Sequence, residues 1–217
     1  MSYPFIGMDR ARILIIGGGV VGCAVAYAVS RRWQDVFLVE QLPRLGMATS
    51  SRNSGVIHSG IYYPPGTLKA QLCPEGNRLM YEFCAKHNVP HRRTGKLIVA
   101  SDSREEKELH ALLARGRANG VEGLRLIGPA EIRAREPHIV GTAAIDVPSA
   151  GIVSAEDLVK TFARVAALPH IRGFIAGASR SWPRCANAAS ETRLSAAPPA
   201  SLASVLAVSG ATTNKSA

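Results

Sequence analysis

The chain has 217 residues, with 26 lysines and arginines against 16 acidic residues, a net charge of +10 and a hydrophobic share of 47%. That length can bury a real core in one large or two small domains, so size excludes neither an enzyme nor a binding module. The basic residues are scattered among acidic ones, with Arg31-Arg32 and Arg92-Arg93 only pairs; this argues against a nucleic-acid partner and favours an anionic cofactor and substrate over an anionic membrane surface.

Met1 to Arg10 is too short and too polar for a secretory segment. The first element predicted is an apolar strand over Arg12 to Ile16, followed by Gly17-Gly18-Gly19-Val20-Val21-Gly22 and a helix from Val20 to Arg32 with small Ala24 and Ala28. A second apolar strand, Val36 to Val39, ends on Glu40. Three glycines at the turn from a strand into a helix form a dinucleotide cradle. Gly17 allows the tight turn, Gly19 removes the side chain that would hold a pyrophosphate away from the helix N-terminus, and Gly22 lets helix and strand pack closely. An acidic residue about 20 positions further on, here Glu40, is placed to accept hydrogen bonds from a ribose.

A polar, glycine-spaced loop follows, through Gly46, Ser51, Asn53, Ser54 and Gly55 to His58-Ser59-Gly60-Ile61-Tyr62-Tyr63. Such loops beside a nucleotide fold often carry function. Thr67 is expected to cap a helix and Pro74 to open another, with Leu79, Met80, Phe83 and Cys84 on a core-facing side. Thr94 to Ala100 reads as a strand, and Ser103-Arg104-Glu105-Glu106 as a capping box opening a helix with Leu109, Leu112 and Leu113 on one face. A short strand at Leu124 to Ile127, a helical turn from Gly128-Pro129, a strand at Thr142 to Val147 and an amphipathic helix capped by Ser154 complete the ordered pattern. A βαβ start, a functional loop and a mixed strand and helix region give the arrangement of a nucleotide domain with an inserted second domain.

From Phe174 onward the chain is rich in Ala and Ser, includes Pro198-Pro199 and lacks a sustained period. Residues 174–217 are therefore expected to be mostly disordered, with Ser204 to Gly210 as one short buried strand. The four cysteines, Cys23, Cys73, Cys84 and Cys185, show no C-x-x-C spacing and no nearby histidine pair, so reduced thiols and no metal site are expected. No apolar run approaches the roughly 20 residues that span a bilayer. The expected location is cytoplasmic, with any contact to an inner membrane peripheral.

Ser51-Arg52-Asn53-Ser54-Gly55-Val56-Ile57-His58-Ser59-Gly60-Ile61-Tyr62-Tyr63, with Leu68-Lys69-Ala70, Cys73 and Gly76-Asn77 after it, closely resembles the L-2-hydroxyglutarate oxidase/dehydrogenase family of the FAD-dependent D-amino-acid-oxidase-like superfamily. Thr94-Gly95-Lys96-Leu97-Ile98-Val99-Ala100, Arg135-Glu136-Pro137 and Val147-Pro148-Ser149-Ala150-Gly151-Ile152-Val153-Ser154 extend the resemblance over residues 10 to 170. It implies an α/β Rossmann-like FAD-binding domain with an inserted α+β substrate domain, incomplete at the C-terminus. The expected boundaries are 1–85 for the first part of the FAD domain, 86–173 for a partial substrate domain and 174–217 for a divergent tail.

The resemblance further implies FAD rather than a nicotinamide, and a small 2-hydroxy dicarboxylic acid as substrate. The C2 alcohol of L-2-hydroxyglutarate would be oxidised to 2-oxoglutarate by hydride transfer to flavin, with a side-chain base taking the hydroxyl proton. On this reading Gly17, Gly19 and Gly22 hold the pyrophosphate and Glu40 the ribose, while Ser51, Asn53, Ser54 and Gly55 line the flavin. His58 is the base, a flavin-side hydrogen-bond partner or a brace for the loop. Tyr62, Tyr63 and Lys69 bind a substrate carboxylate, or serve packing and surface roles. The alternatives are a superfamily member acting on glycerol 3-phosphate or an amino acid, against which the His58 to Tyr63 stretch argues, and a non-catalytic remnant that binds nucleotide or a partner only. The electron acceptor stays open. The tail, without a counterpart in the family, leads to the expectation of a frameshifted or truncated member whose sheet and active site are left unfinished.

Overall fold

The computed structural model describes residues 11–167 and 171–176. In chain order its elements are β1 (Ile13–Ile16), α1 (Val20–Ser30), β2 (Val36–Glu40), a 3-10 turn (Thr49–Ser51), β3 (Val56–Ile57) and α2 (Leu68–His87). There follow β4 (His91–Arg92), β5 (Leu97–Ala100), α3 (Ser103–Ala118), β6 (Arg125–Ile127) and α4 (Pro129–Arg135). β7 (Ala143–Asp146), β8 (Gly151–Val153), α5 (Ala155–Ala167) and β9 (Ile171–Ala176) come last. The chain divides into two units, one of residues 1–53 with 155–217 and one of residues 54–154.

The first unit holds a parallel sheet in the order β1-β2-β9, with Ile13 opposite Val36 and Ile16 opposite Val39. Parallel neighbours need a crossover between them, which α1 supplies between β1 and β2. Ile15, Val36 and Leu38 are buried with Cys23 and Ala26 of α1, and α1 packs on α5, where the Tyr27 and Phe162 rings lie 5.7 Å apart. The backbone of β9 pairs with β2 as far as Glu40 opposite Ala176. The tail expected from residue 174 thus begins inside a strand, because ladder hydrogen bonds are backbone interactions to which composition is a poor guide. The strand expected at 204–210 lies outside the described residues.

The second unit contains two antiparallel sheets, β3-β8-β4 and β5-β7-β6. β7 is central in the latter and buried at every position. Its alternation serves both faces: Ala143 and Ile145 join Leu109 and Leu113 of α3 in one core, and Ala144 joins Ile132 of α4 in another.

Several local expectations shift. The expected boundary at 85/86 would cut α2, yet the observed units keep that helix whole. It is tied to the β7–β8 turn, where the Tyr81 hydroxyl donates to Ser149 O at 3.1 Å. One helix replaces the two expected around Pro74, which lies inside it. Pro74 removes a hydrogen bond there, but its ring fits against Gly60, where an added Cβ would come within 3.1 Å of it. Leu79 is 40% exposed, so the buried side of α2 is Ala70, Asn77, Tyr81, Phe83 and Cys84. Thr67 does cap α2, accepting from the Ala70 amide. For α3 the N-cap is Asp102 rather than Ser103, its carboxylate accepting from the Arg104 and Glu105 amides at 2.9 and 2.8 Å. Among the described residues, no helix is long and apolar enough to cross a membrane.

Candidate functional site

In the first unit the glycine turn is built from three separate constraints. Gly17 has φ +102°, a conformation side chains resist, and its amide donates to Val39 O at 2.8 Å. A Cβ on Gly22 would collide with the Gly17 carbonyl oxygen, which ties the first turn of α1 to the end of β1. Gly19 is the N-cap of α1; it offers no side-chain cap, and the first helical turn holds no acidic residue. Within α1 itself no acidic side chain faces the positive end of the helix dipole, which favours an anion there. A Cβ on Gly19 would come 3.1 Å from the Ser50 hydroxyl oxygen, which accepts from the Val20 amide at 2.9 Å.

Glu40 is only 8% exposed and acts on the turn directly. Its Oε2 accepts from the Gly18 amide at 2.7 Å and its Oε1 from the Leu42 amide at 2.9 Å. A carboxylate has about four lone-pair positions, so the clamp leaves acceptor capacity on the same group. Burial first, and then the neighbouring Glu40 carboxylate, push the Cys23 thiol up to about 11, keeping it an inert core group. Ser51 and Asn53 shape the loop nearby. The Ser51 hydroxyl donates to Ala48 O at 2.9 Å, and the Asn53 amide donates to Ser50 O at 2.8 Å. A turn of three glycines, a helix N-terminus without an acidic residue in its first turn and an anchored acidic residue together fit the ADP end of a dinucleotide.

In the second unit, Ser54 lines an open depression with Pro90, His91 and Arg92. Gly55 has φ +65° and accepts from the Val153 amide at 2.8 Å; a Cβ there would crowd Val153 O at 2.5 Å. His58 is exposed on the loop that follows β3. That loop has little ladder pairing of its own, so its carbonyls need other partners. Asn77 donates to His58 O at 2.9 Å and to Ser149 O at 2.9 Å. Asn119 donates to Gly60 O at 3.0 Å and to Tyr63 O at 2.8 Å. Ile61, fully buried, pins the middle of the loop into the core beneath α3. The imidazole is consequently carried on a fixed backbone.

Lysine and tyrosine side chains pair along the same loop. The Lys69 ammonium lies 5.9 Å from the Tyr63 ring centre, and the Lys96 ammonium lies 4.4 Å from that of Tyr62. Desolvation, and then the charge of Lys96, hold the His58 pKa below its usual 6.5. A neutral imidazole at neutral pH can accept a proton. From sequence, Tyr62, Tyr63, Lys69 and His58 are predicted together, and the unit brings them onto or beside one loop. Ser50, Asn77, Asn119 and Lys96 were missed as participants. Asn77 and Lys96 lie inside stretches that carry the family resemblance, and Ser50 inside the polar, glycine-spaced loop, which were the available signals; Asn119 has none.

The family model described as FAD dependent oxidoreductase matches residues 12–171. The chain belongs to that family. Its relatives include the mitochondrial L-2-hydroxyglutarate dehydrogenases of Mus musculus, 46% identical over 69% of this chain and 32% of the relative, and of Homo sapiens, 44% identical over 70% and 33%. That of Arabidopsis thaliana is 42% identical over 68% of this chain and 31% of the relative. The chain thus spans about a third of the length of these relatives. Among solved structures it is similar to the dithionite-reduced L-alpha-glycerophosphate oxidase of Mycoplasma pneumoniae with FAD bound, at TM-score 0.73 and 31% identity over 78% of this chain and 45% of that one. The L-proline dehydrogenase of P. horikoshii shares the fold at TM-score 0.70 and 20% identity, over 78% of this chain and 44% of that one. The family and these folds bear out the expected α/β, FAD-type architecture.

Proposed function

We propose that this chain provides the ADP-binding turn and part of the substrate site of an FAD-dependent enzyme that oxidises L-2-hydroxyglutarate to 2-oxoglutarate. The observation carrying this reading is the His58 loop: a backbone held by Asn77 and Asn119 that carries an exposed imidazole of lowered pKa, with two lysine and tyrosine pairs along the same loop. Relatives at 42 to 46% identity named for that substrate support it. Gly17, Gly19 and Gly22 hold the pyrophosphate, Gly19 by the absence of a side chain and Gly22 by letting α1 close onto the turn; the α1 N-terminus attracts its charge, and Glu40 offers remaining lone pairs to a ribose. Ser51, Asn53, Ser54 and Gly55 would stand along the remainder of the cofactor. When bound, FAD supplies the hydride acceptor. His58 takes the proton from the C2 hydroxyl at a ring nitrogen, and Tyr62, Tyr63 and Lys69 orient the acid by its carboxylates.

The test uses the purified full chain with added FAD. Retained flavin absorbance that bleaches under anaerobic L-2-hydroxyglutarate, with His58→Ala keeping flavin and losing the bleaching, is the expected outcome. Bleaching by glycerol 3-phosphate instead would assign the substrate chemistry of the Mycoplasma pneumoniae oxidase. A chain that retains no flavin would overturn the cofactor role of the glycine turn and reduce the protein to a remnant.

A further inference from the structure

Lys96 is held in place more firmly than a surface lysine. Its amide donates to Val147 O at 3.2 Å, its carbonyl accepts from the Val147 amide at 2.9 Å, and the amide of Gly95 before it donates to Ala150 O at 2.9 Å. The residue thus enters β5 with its backbone fixed, and its side chain is half-buried. The ammonium lies 3.4 Å from the Tyr62 hydroxyl oxygen and 4.4 Å from the ring centre. Among the described residues it makes no ion pair, whereas Lys160, Arg125 and Arg135 each meet a carboxylate. An ammonium whose company among the described residues is phenolic keeps its charge available for an anion, and a cation over an exposed ring is weakly held.

The same charge reaches the groups around the loop. Beyond the effects of burial, it lowers the pKa of His58 and opposes the rise of the Cys73 thiol. Cys73 lies against the His58 carbonyl at 3.7 Å, and Tyr63 with Lys69 completes the set. The loop therefore presents two lysine and tyrosine pairs, Lys96 with Tyr62 and Lys69 with Tyr63. Two cations with two hydroxyl donors match a dianion bearing two carboxylates, each of which forms stronger bonds to an ammonium than a ring face does.

We propose that Lys96, with the Tyr62 hydroxyl, binds one carboxylate of a dicarboxylic substrate and sets the preference of the His58 site for acids of that charge. This assignment rests on the function proposed above, and the experiment separates the two. The full chain with FAD is titrated calorimetrically with L-2-hydroxyglutarate, glutarate and 2-hydroxybutyrate, while the His58 imidazole is followed by NMR across pH. Lys96→Met should weaken binding of L-2-hydroxyglutarate by about tenfold or more, change that of the monocarboxylate 2-hydroxybutyrate much less, and raise the His58 pKa in the ligand-free chain. Lys96→Arg should recover most of the affinity, which a purely structural role for the side chain would not produce. Dicarboxylate binding by Lys96→Met as tight as wild type removes Lys96 from the site and leaves the proposed function standing. Glutarate binding that depends on Lys96, with no response to L-2-hydroxyglutarate, keeps the carboxylate site and removes the 2-hydroxy-acid reading. No binding of either dicarboxylate to the wild-type chain overturns both.

Discussion

Glu40 and Asn77 show how single side chains hold the two sites. Glu40 closes the glycine turn by taking the Gly18 amide, so the residue expected to meet a ribose first organises the cradle for it. Asn77 does the equivalent for the loop. It is 8% exposed and gives both protons of its amide nitrogen, one to His58 O and one to Ser149 O. Asn77→Ala leaves two carbonyls short of a donor and should cost about 2 kcal/mol or more. Asn77→Asp should cost more still, because a carboxylate facing two carbonyls is an acceptor opposed to acceptors. Urea unfolding midpoints order the two; a variant order with Asp the milder would show that these bonds do not hold the loop. The glycines were legible in the sequence since the turn is local, and Glu40 because the end of the second strand of a βαβ unit is a recurring place for the acidic residue. Asn77 was not legible as a brace, because its partners stand 19 and 72 residues away.

Among the elements, β7 carries the second unit. Its alternation sends Ala143 and Ile145 into one core, while Asp146 bonds Arg125 at 2.8 Å and Arg135 at 2.9 Å. Burial by itself would raise the Asp146 pKa, but the hydrogen bonds from Arg135 and Arg125 outweigh it and hold the carboxyl below its usual 3.8. A carboxyl depressed in the folded state stabilises fully above the unfolded value and loses that contribution as pH falls through the folded one. Asp146→Asn should therefore destabilise at neutral pH by about 1–2 kcal/mol, a modest figure because both arginines remain half-exposed to water. The gap between variant and wild type should close below the usual carboxyl pKa. Thermal melts at neutral and strongly acid pH measure it, and a gap that persists in acid would argue for lost packing instead of lost charge. The strand itself was predictable from its apolar run. Its ion pairs were not, since Arg125, Arg135 and Asp146 lie on three different elements.

At the scale of the whole molecule, the nucleotide turn and the His58 loop belong to different units, and each is completed by its own bonds. Hydrogen exchange should reflect that separation. FAD should slow exchange at the amides from Gly18 to Gly22, whereas glutarate should slow it from His58 to Tyr63 and around Lys96. Protection by glutarate confined to the glycine turn would contradict the proposed placement of the acid.

The amino-acid sequence by itself determined the dinucleotide turn, the longer strands and helices such as β1, α1, β2, α3, β7 and α5, and the family, because these depend on short-range pattern: glycines at a strand-to-helix turn, apolar periods and contiguous motifs. Only the tertiary structure decided that α2 is one helix belonging to the second unit, that the strand at residues 171–176 joins β2, and that Lys96 stands beside Tyr62 at a separation of 34 residues. Each of these is a contact between segments far apart in the chain. Local preference leaves such contacts undetermined, and they form only when burial and backbone pairing are satisfied together.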